Sequence, residues 1–437
     1  MNFRKFLLLL LFPGQAFSQN YTYYHTGNTV DTVVSPTGGM CMMGGATEHD
    51  NAMKWFLQRA NGGDVLVLRA SGSDGYNDYL YNQLGIHVNS VTTIVCHNAA
   101  ASNAAFVQQK ISQAEAIWFA GGDQWDYVSF WRNTPVDSLI NLAIQQRNIV
   151  FGGTSAGMAI LGKYYFTAQN GTTTSAVALA NPYAPTVAID SSAFIHAPFL
   201  SDVITDTHFD NPDRRGRLVA FLSRIVTDYG VQARAIACDE YTAVCIAPIG
   251  IAKVYGDAPT YDDNAYFIQA NCELNDTDPE VCQAGTPLTW NLNGEALKVY
   301  QIKGTSNGTK VFNLNNWKMG IGGSWLHWSV ANGVFTEQAG TEIECPVLSE
   351  NEPWIHSGLS LYPNPAAEKL YVSREQEFAG ELSFQVFNAL GQQLPIEISA
   401  LADGQIELDI RHVKQGINFL QITHSGAGVF TRVFAKE

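Results

Sequence analysis

A serine flanked by small residues is the first candidate for chemistry in this chain. Ser155 lies at the centre of Gly153–Gly157, which reads Gly-Thr-Ser-Ala-Gly. The apolar run Asn148–Gly152 predicts a buried strand before it, and Met158–Leu161 predicts the start of a helix after it. Small neighbours allow the sharp strand-to-helix turn that exposes a nucleophilic hydroxyl, and the helix N-terminus offers N–H groups to an oxyanion. The pattern therefore favours attack on a carbonyl, and a glycine-rich turn with only a packing role is the alternative.

A nucleophilic serine needs a base, and His208 is the best candidate among the ten histidines. It lies in Asp206–Phe209, just before the polar cluster Asp213–Leu218 that enters an amphipathic helix. A histidine at a strand end, beside a carboxylate and arginines, suits general-base catalysis. His196 is the second candidate, although its apolar surroundings, Ala193–Phe199, indicate a packing position.

The third member of a triad is a carboxylate that fixes the imidazole tautomer. Asp239 and Glu240 lie in a turn between the predicted strands Ala233–Ala237 and Ala243–Ala247. The order serine, histidine, acid, each at the end of an apolar strand, predicts that one open parallel sheet brings all three to its carboxyl edge. Since α/β-hydrolases have the order serine, acid, histidine, the same elbow predicts a different fold here.

Several motifs in order resemble the serine peptidases that include cyanophycinase and the aspartyl dipeptidase peptidase E. The resemblance covers roughly residues 30–330 and is closer to cyanophycinase, because of Gly-Gly-Asp-Gln and the arginine-rich stretch after Asp-x-His-Phe. It implies a three-layer α/β core of the flavodoxin-like or class I glutamine-amidotransferase-like type, with a mostly parallel sheet. Besides the elbow and the Asp-Glu turn, the matching segments are Gly38-Gly39, Gly44-Gly45, Val65–Gly72, Ile117–Gln124 and Asp206–Phe209.

Carried over residue by residue, the resemblance implies Ser155 as nucleophile, His208 as base and Glu240 as the acid that orients the base. Backbone N–H groups near Gly122 and Ala156 would stabilise the oxyanion. The residues implied for substrate and oxyanion binding are Gly122, Asp123, Gln124, Ala156, Asp206, Arg214 and Arg217.

The chain also departs from this family pattern. Cyanophycinases carry three spaced arginines after Asp-x-His-Phe, whereas here Asp210–Asp213 comes first and only Arg214 and Arg217 match. The exact specificity therefore stays open. Gln169–Ser192 is predicted to be an insertion that could overhang the site and change which substrates enter.

The implied reaction is hydrolysis of aspartyl peptides through an acyl-enzyme, with the β-linked Asp–Arg units of cyanophycin as one substrate. The alternatives are an α-aspartyl dipeptidase of peptidase E type and a non-catalytic surface binding protein on the same fold. A glutamine amidotransferase is disfavoured, because its nucleophile would be cysteine. The sequence has neither a His-Glu-x-x-His nor a Cys-x-x-Cys pattern, so no metal or other cofactor is expected. A homodimer is left open as the assembly.

The N-terminal residues predict export. Residues 1–18 combine a charged start, an apolar run and a small-residue end, as in a secretory signal peptide. No later apolar run is long enough to span a bilayer, so we expect a secreted or cell-surface protein. The formal charge of −15 disfavours nucleic acid and anionic membranes as partners.

Seven cysteines leave at least one thiol unpaired. Cys272 and Cys282 bracket a short acidic loop and are the favoured disulfide. Cys238 and Cys245 flank the Asp-Glu turn and could pair across it, but packing thiols are an equal alternative.

The chain is predicted to divide into a peptidase domain at 19–347, an acidic linker at 348–356 and a small β-sandwich at 357–437. Late β-like runs before the linker complete the peptidase domain. In the tail, alternating apolar positions between Gly, Asn and Pro turns predict the sandwich.

Three short segments of the tail resemble the C-terminal sorting domain of the type IX secretion system of Bacteroidetes: Tyr362–Pro365, Asn388–Gln392 and Gly416–Phe419. The resemblance implies that secretion machinery is a partner besides the peptide substrate, and that the protein crosses the outer membrane. A generic sandwich that binds carbohydrate or adhesin partners is the alternative.

Overall fold

The computed structural model describes residues 19–191, 194–344, 359–374, 382–388, 391–400, 405–424 and 428–437. The predicted signal peptide, 1–18, and the predicted linker, 348–356, lie outside these residues.

The strands before the linker, numbered in chain order, are β1 (Tyr21–Gly27), β2 (Gly39–Met43), β3 (Asp64–Arg69), β4 (Ser90–Cys96), β5 (Ala116–Phe119), β6 (Val150–Thr154), β7 (Tyr165–Phe166), β8 (Ile189–Asp190), β9 (Val203–Asp206), β10 (Arg234–Cys238), β11 (Ala243–Ile246), β12 (Ile251–Tyr255), β13 (Asn264–Ala270), β14 (Leu297–Lys303), β15 (Lys310–Asn313), β16 (Gly320–Ile321), β17 (Ser324–Ala331) and β18 (Val334–Ala339). The α-helices are α1 (Asp50–Arg59), α2 (Gly75–Asp78), α3 (Ala105–Gln113), α4 (Gln124–Trp131), α5 (Pro135–Arg147), α6 (Ala156–Ala159), α7 (Ser175–Ala180) and α8 (Arg215–Tyr229).

A ten-stranded sheet forms the centre of the part of the chain before the predicted linker, in the order β1-β4-β3-β5-β6-β2-β11-β12-β15-β16. The five adjacent strands from β4 to β2 run parallel, and the flanking strands pair antiparallel. Apolar side chains are buried on both faces, since Ile117 of β5 belongs to one apolar cluster and its neighbour Trp118 to another. This is the pattern of a parallel sheet covered by helices on both sides. The predicted three-layer α/β core with a mostly parallel sheet is therefore confirmed.

A second, six-stranded sheet has the order β18-β17-β14-β13-β10-β9, and only β9 and β10 pair in parallel. His208 follows β9 and Glu240 follows β10, whereas Ser155 follows β6 of the ten-stranded sheet. The prediction that one sheet edge brings the three together is therefore wrong. The physical reason is that the turn after β10 leads the chain from the second sheet into β11 of the first.

Two four-stranded antiparallel sheets form the tail, in the orders β19-β20-β24-β23 and β22-β21-β25-β26. They enclose an apolar cluster of their own, which includes Leu370, Val386 and Leu420. The predicted small sandwich is confirmed. Its strands are β19 (Leu359–Tyr362), β20 (Lys369–Arg374), β21 (Leu382–Asn388), β22 (Gln393–Leu394), β23 (Glu397–Ala400), β24 (Gln405–Asp409), β25 (Gly416–His424) and β26 (Gly428–Lys436).

The predicted bridge between Cys272 and Cys282 is wrong. Cys272 is disulfide-bonded, but Cys282 is a free thiol. Cys282 packs in the apolar cluster around α8, and its Sγ lies 3.5 Å from Ser223 Oγ. Cys238 and Cys245 are also free and buried, as packing thiols would be. In the described ranges, no helix combines the length and apolarity needed to cross a bilayer.

Candidate active site

The predicted elbow at Ser155 is present in the structure. Ser155 joins β6 to α6 with φ 52° and ψ −118°, a conformation that L-residues rarely adopt. Gly157 makes the turn possible, because a β-carbon there would lie 2.0 Å from the carbonyl oxygen of Phe119. The helix after the elbow begins at Ala156 and has a single turn, so it starts earlier and ends sooner than predicted.

Ser155, His208 and Glu240 form one continuous line of hydrogen bonds. The Ser155 hydroxyl donates to His208 Nε2 at 2.8 Å, and His208 Nδ1–H donates to Glu240 Oε1 at 2.6 Å. The side chains of His208 and Glu240 are 25% and 18% exposed, so the line borders on solvent. The three groups thus have the mutual geometry of nucleophile, base and orienting carboxylate.

The backbone of Gly44 and Gly45, at the end of β2, connects the two sheets at this site. His208 N donates to the Gly44 carbonyl at 2.7 Å, and Tyr241 N donates to the Gly45 carbonyl at 3.1 Å. Gly44 N in turn donates to Thr242 O at 2.9 Å. The loops that carry the histidine and the glutamate are therefore both held against the sheet that carries the serine.

The two acids of the turn after β10 have different environments. The hydrogen bond from His208 is the main cause that lowers the pKa of Glu240, which supports a charged carboxylate beside the imidazole. Asp239 is only 2% exposed, and burial raises its pKa to about 7. Its Oδ2 accepts from the backbone N–H of Asn264 at 3.0 Å and from the Asn264 amide at 2.9 Å. Only Glu240 is therefore bonded to the base.

The backbone N–H groups of Gly122 and Ala156 lie near Ser155, and neither has a hydrogen-bond acceptor among the described residues. The loop after β5 lies beside the serine, since a β-carbon on Gly121 would lie 3.7 Å from Ser155 Cβ. These N–H groups fit the predicted oxyanion site.

Asp123 is the N-cap residue of α4, and Gln124 is the first residue of that helix, after the loop that follows β5. Asp123 caps the helix by accepting from Trp125 N at 2.9 Å. The Gln124 amide donates to the carbonyl oxygen of Phe166 at 3.2 Å, so residues next to the predicted insertion orient its side chain.

Asp206 and Arg217 form a buried ion pair with 3% and 2% exposure. Arg217 Nε donates to Asp206 Oδ2 at 2.9 Å, and a second bond joins Arg217 Nη2 to Asp206 Oδ1. The guanidinium also lies 5.3 Å from the ring centre of Phe166. Since each charge already has its partner, this arrangement favours a structural role for the pair over direct contact with substrate.

Arg214 is the arginine of this cluster that has no carboxylate within ion-pair distance in the described part of the chain. It is half-buried, and its Nη1 donates to the carbonyl oxygen of Thr207, next to the base, at 2.9 Å. Burial and the neighbouring Arg217 lower its pKa. Arg215, in contrast, is paired with Asp213 and Glu337.

The predicted insertion, Gln169–Ser192, packs against the start of α8. The Ser175 hydroxyl donates to Asp213 O at 2.8 Å and accepts from Arg217 N at 3.1 Å. The described part of the insertion is therefore bonded to the segment that begins α8, and its effect on substrate entry stays a prediction.

The second candidate base is not brought to the serine. His196 is exposed, contrary to the predicted packing position, and its backbone N–H donates to Asn141 Oδ1 at 2.8 Å. Its ring makes no hydrogen bond among the described residues. The structure therefore brings His208, and not His196, to Ser155.

The sequence did not predict the contacts that Asp210 and Asn211 make with Glu240. Asp210 Oδ1 accepts from Glu240 N at 2.9 Å, and Asn211 Nδ2 donates to Glu240 Oε2 at 3.3 Å. The only signal in the sequence was that these polar residues interrupt the expected arginine spacing directly after the base.

The comparisons with known proteins match both parts of the chain. Residues 38–245 match the model of Peptidase family S51, and residues 360–436 match the secretion system C-terminal sorting domain. The resemblances stated from the sequence are confirmed at this level.

Among curated relatives, the chain is similar to the cyanophycinase of Synechococcus elongatus, with 27% identity over 206 residues, covering 46% of this chain and 59% of that protein. It is 27% identical over 162 residues to the cyanophycinase of Geminocystis herdmanii, covering 36% of this chain and 55% of that protein. The chain thus spans less than two thirds of the length of these relatives. Among solved structures, it is similar to a peptidase from an acI-B1 actinobacterium, with 15% identity and a TM-score of 0.39 over 51% of this chain and 89% of that chain.

Proposed function

We propose that this protein is an exported serine peptidase that hydrolyses aspartyl peptides. The chain carries a Peptidase family S51 domain at 38–245 and a secretion system C-terminal sorting domain at 360–436. The observation that carries the proposal is the hydrogen-bonded line from Ser155 through His208 to Glu240. A structural turn would not require a strained serine aligned with an imidazole and a charged carboxylate.

In the proposed reaction, Ser155 Oγ attacks the carbonyl carbon of the scissile bond while its proton passes to His208 Nε2. Glu240 stabilises the imidazolium, and the N–H groups of Gly122 and Ala156 stabilise the tetrahedral oxyanion. His208 then gives the proton to the leaving amine, which leaves an acyl-enzyme. A water molecule, deprotonated by the same imidazole, releases the acid product and restores Ser155.

The electrostatics of Arg214 support an acidic substrate. Its guanidinium lies next to the base and lacks a carboxylate partner among the described residues. A substrate carboxylate would supply that partner, and the planar fork of an arginine suits it. The proposed substrates are accordingly peptides with an aspartyl residue at the scissile bond, including β-linked Asp–Arg units. Arg217 contributes by fixing Asp206 and the adjoining loop.

The proposed location is the cell surface or the medium, reached through a type IX secretion system. The sorting domain supports this proposal, and its separate apolar cluster is consistent with an independently folded signal.

Two measurements on the purified full chain test the activity. A fluorophosphonate probe should label Ser155, identified by mass spectrometry of the labelled peptide. Incubation with cyanophycin, a β-Asp–Arg dipeptide and α-Asp dipeptides should release products from at least one of them. A β-Asp–Arg dipeptide whose aspartyl α-carboxyl group is converted to an amide serves as the uncharged control. Labelling without cleavage of any aspartyl substrate would overturn the substrate class. Failure to label Ser155 would overturn the serine peptidase itself and favour the non-catalytic binding protein.

A further inference from the structure

The carboxylate of Glu240 is held on both of its oxygens. Oε1 accepts from His208 Nδ1 at 2.6 Å, and Oε2 accepts from the Asn211 amide at 3.3 Å. The backbone N–H of the same glutamate donates to Asp210 Oδ1 at 2.9 Å. The side chain and the backbone of the acid are therefore both attached to the segment that follows the base.

This attachment uses a short segment, because Asp210 and Asn211 lie two and three residues after His208. Asn211 N donates to the carbonyl oxygen of His208 at 3.3 Å, which folds the segment 208–211 back over Glu240. A carboxylate bonded through one oxygen alone can rotate about its last torsion. A donor on the second oxygen fixes the plane of the carboxylate and hence the orientation of the imidazole that it holds.

We propose that Asp210 and Asn211 are positioning residues, which hold Glu240 so that His208 stays aligned with Ser155. The inference rests on the proposed function, since it assigns these residues a part in the activation of the serine. Neither residue touches the reacting atoms, and both act through the carboxylate. In this chain the segment directly after the base would then orient the acid, at the place where the sequence departs from the arginine pattern.

The charges around Glu240 explain why an amide suits position 211. The groups that face the carboxylate are His208, Arg214 and the Asn211 amide, while Asp210 lies against the backbone N–H of Glu240. The buried Asp239 precedes it in the turn. A carboxylate at 211 would place a second negative charge against Oε2, whereas an amide donates a hydrogen bond without adding charge.

The test compares four single variants of the full chain, Asn211→Ala, Asn211→Asp, Asp210→Ala and Asp210→Asn. Asn82→Ala is the matched control, because its exposed amide donates to the Asp78 carboxylate at 2.6 Å and has no bond to the triad. The readout is the second-order rate of fluorophosphonate labelling at Ser155 from acid to alkaline pH, with the melting temperature of each variant measured alongside.

We expect Asn211→Ala to label about tenfold more slowly than the natural chain at neutral pH, the effect of losing one hydrogen bond to a charged group. Asn211→Asp should be at least as slow at neutral pH. At acid pH its rate should rise relative to Asn211→Ala, because a protonated Asp at 211 can again donate to Glu240 Oε2. Asp210→Asn keeps an acceptor for Glu240 N and should label faster than Asp210→Ala.

A merely structural role would give a different result. It would lower the melting temperatures while leaving the ratio of the two Asn211 variants constant with pH. That result, or rates equal to those of Asn82→Ala, would overturn the proposal.

Failure of the proposed function would be recognised separately, as a natural chain that is not labelled at all. In that case, ¹⁵N NMR of the chain labelled at its histidines tests the positioning role, because it reports which ring nitrogen of His208 carries the proton. The natural chain should hold His208 with the proton on Nδ1, and Asn211→Ala should mix the two tautomers. The same single tautomer in both proteins would overturn the positioning role.

Discussion

The imidazole of His208 lies against the α-carbon of Gly45, where a β-carbon would come within 2.3 Å of His208 Cε1. Gly45 also has φ 124°, a conformation that side chains rarely tolerate. Its carbonyl receives the N–H of Tyr241, next to Glu240. Gly45 thus leaves room for the His208 ring and also accepts a hydrogen bond from the residue after Glu240.

Gly45→Ala should therefore disable the serine while leaving much of the chain folded. The added methyl displaces the ring, and a displacement of about 1 Å at a catalytic group can reduce a rate by about 10²-fold. The measurement is the rate of phosphonate labelling. Gly75→Ala is the control, because a β-carbon there meets no atom within 4 Å. Equal rates in the two variants would show that His208 does not depend on Gly45.

Substitution of His208 should abolish activity, whereas substitution of His196 should not. Ser155→Ala and His208→Ala should fold normally and lose hydrolysis by about 10⁴-fold or more, because removal of either group disables the whole relay. His196→Ala should keep the activity of the natural chain, since His196 lies outside the hydrogen-bonded line. Hydrolysis retained by Ser155→Ala would refute the nucleophile, and a loss confined to His196→Ala would move the base.

Substitution of the two arginines that match the family spacing should have different effects. The change at Arg214 should weaken substrate recognition, and the change at Arg217 should lower stability. Arg214→Gln should raise KM for aspartyl peptides about tenfold or more, the effect of losing a charged hydrogen bond. Steady-state kinetics on a β-Asp–Arg dipeptide and on the same dipeptide with an amide at the aspartyl α-carboxyl measure the effect, which should be confined to the substrate with the free carboxylate.

Arg217→Gln should instead lower the free energy of unfolding by about 3–5 kcal/mol, because it leaves Asp206 buried without its partner. Chemical denaturation measures this loss. The second change in Asp206→Asn/Arg217→Gln removes the stranded charge and should restore part of the stability. If the Arg217→Gln variant is stable but has a raised KM, Arg217 binds substrate, as the family resemblance implied.

Asp239 should make stability fall as pH rises. Its folded pKa of about 7 lies above the ordinary value of 3.8, so the folded chain binds more protons than the unfolded chain between these values. Asp239→Asn should therefore gain stability relative to the natural chain as pH increases through this window, by at most about 1.4 kcal/mol for each pKa unit. Melting curves at several pH values measure the difference. The exposed Asp31→Asn is the control, and parallel stability curves for the natural chain and Asp239→Asn would contradict the prediction.

The tail should be separable from the chemistry. A chain that ends at Leu348 should fold and be labelled at Ser155 at the natural rate, because the three groups of the triad lie within 155–240 and the tail has its own core. A small loss of melting temperature is expected, since Phe419 packs with Ala247 and Ile249. In the organism that makes this chain, the truncated form should stay in the cell envelope. An inactive soluble product would show that the tail belongs to the catalytic unit, and complete export would refute the sorting role.

The sequence predicted the elements that depend on short-range pattern. The apolar run before Ser155 and the small residues around it were sufficient for the elbow, and the alternation in the tail was sufficient for the sandwich. The assignment of His208 to a second sheet was not predictable in this way. Strand pairing between β10, β13 and β14 is set by contacts between distant parts of the chain, and the apolar runs look alike in either sheet.

The details that depend on side-chain direction were also beyond the sequence. Cys282 and Cys272 flank a short loop, but the packing of Cys282 against α8 decides against a bridge. Asn211 reads as an ordinary polar loop residue, and only the fold of 208–211 over Glu240 gives it a partner.

The backbone conformation of Ser155 also bears on the choice between an enzyme and a binding protein. A non-glycine residue held in such a conformation costs about 1–3 kcal/mol, and glycine would relax most of it. A protein that needed only this backbone shape would therefore gain stability from glycine at position 155. Serine supplies a hydroxyl at that cost in stability, which the proposed nucleophile requires and a surface binding protein does not.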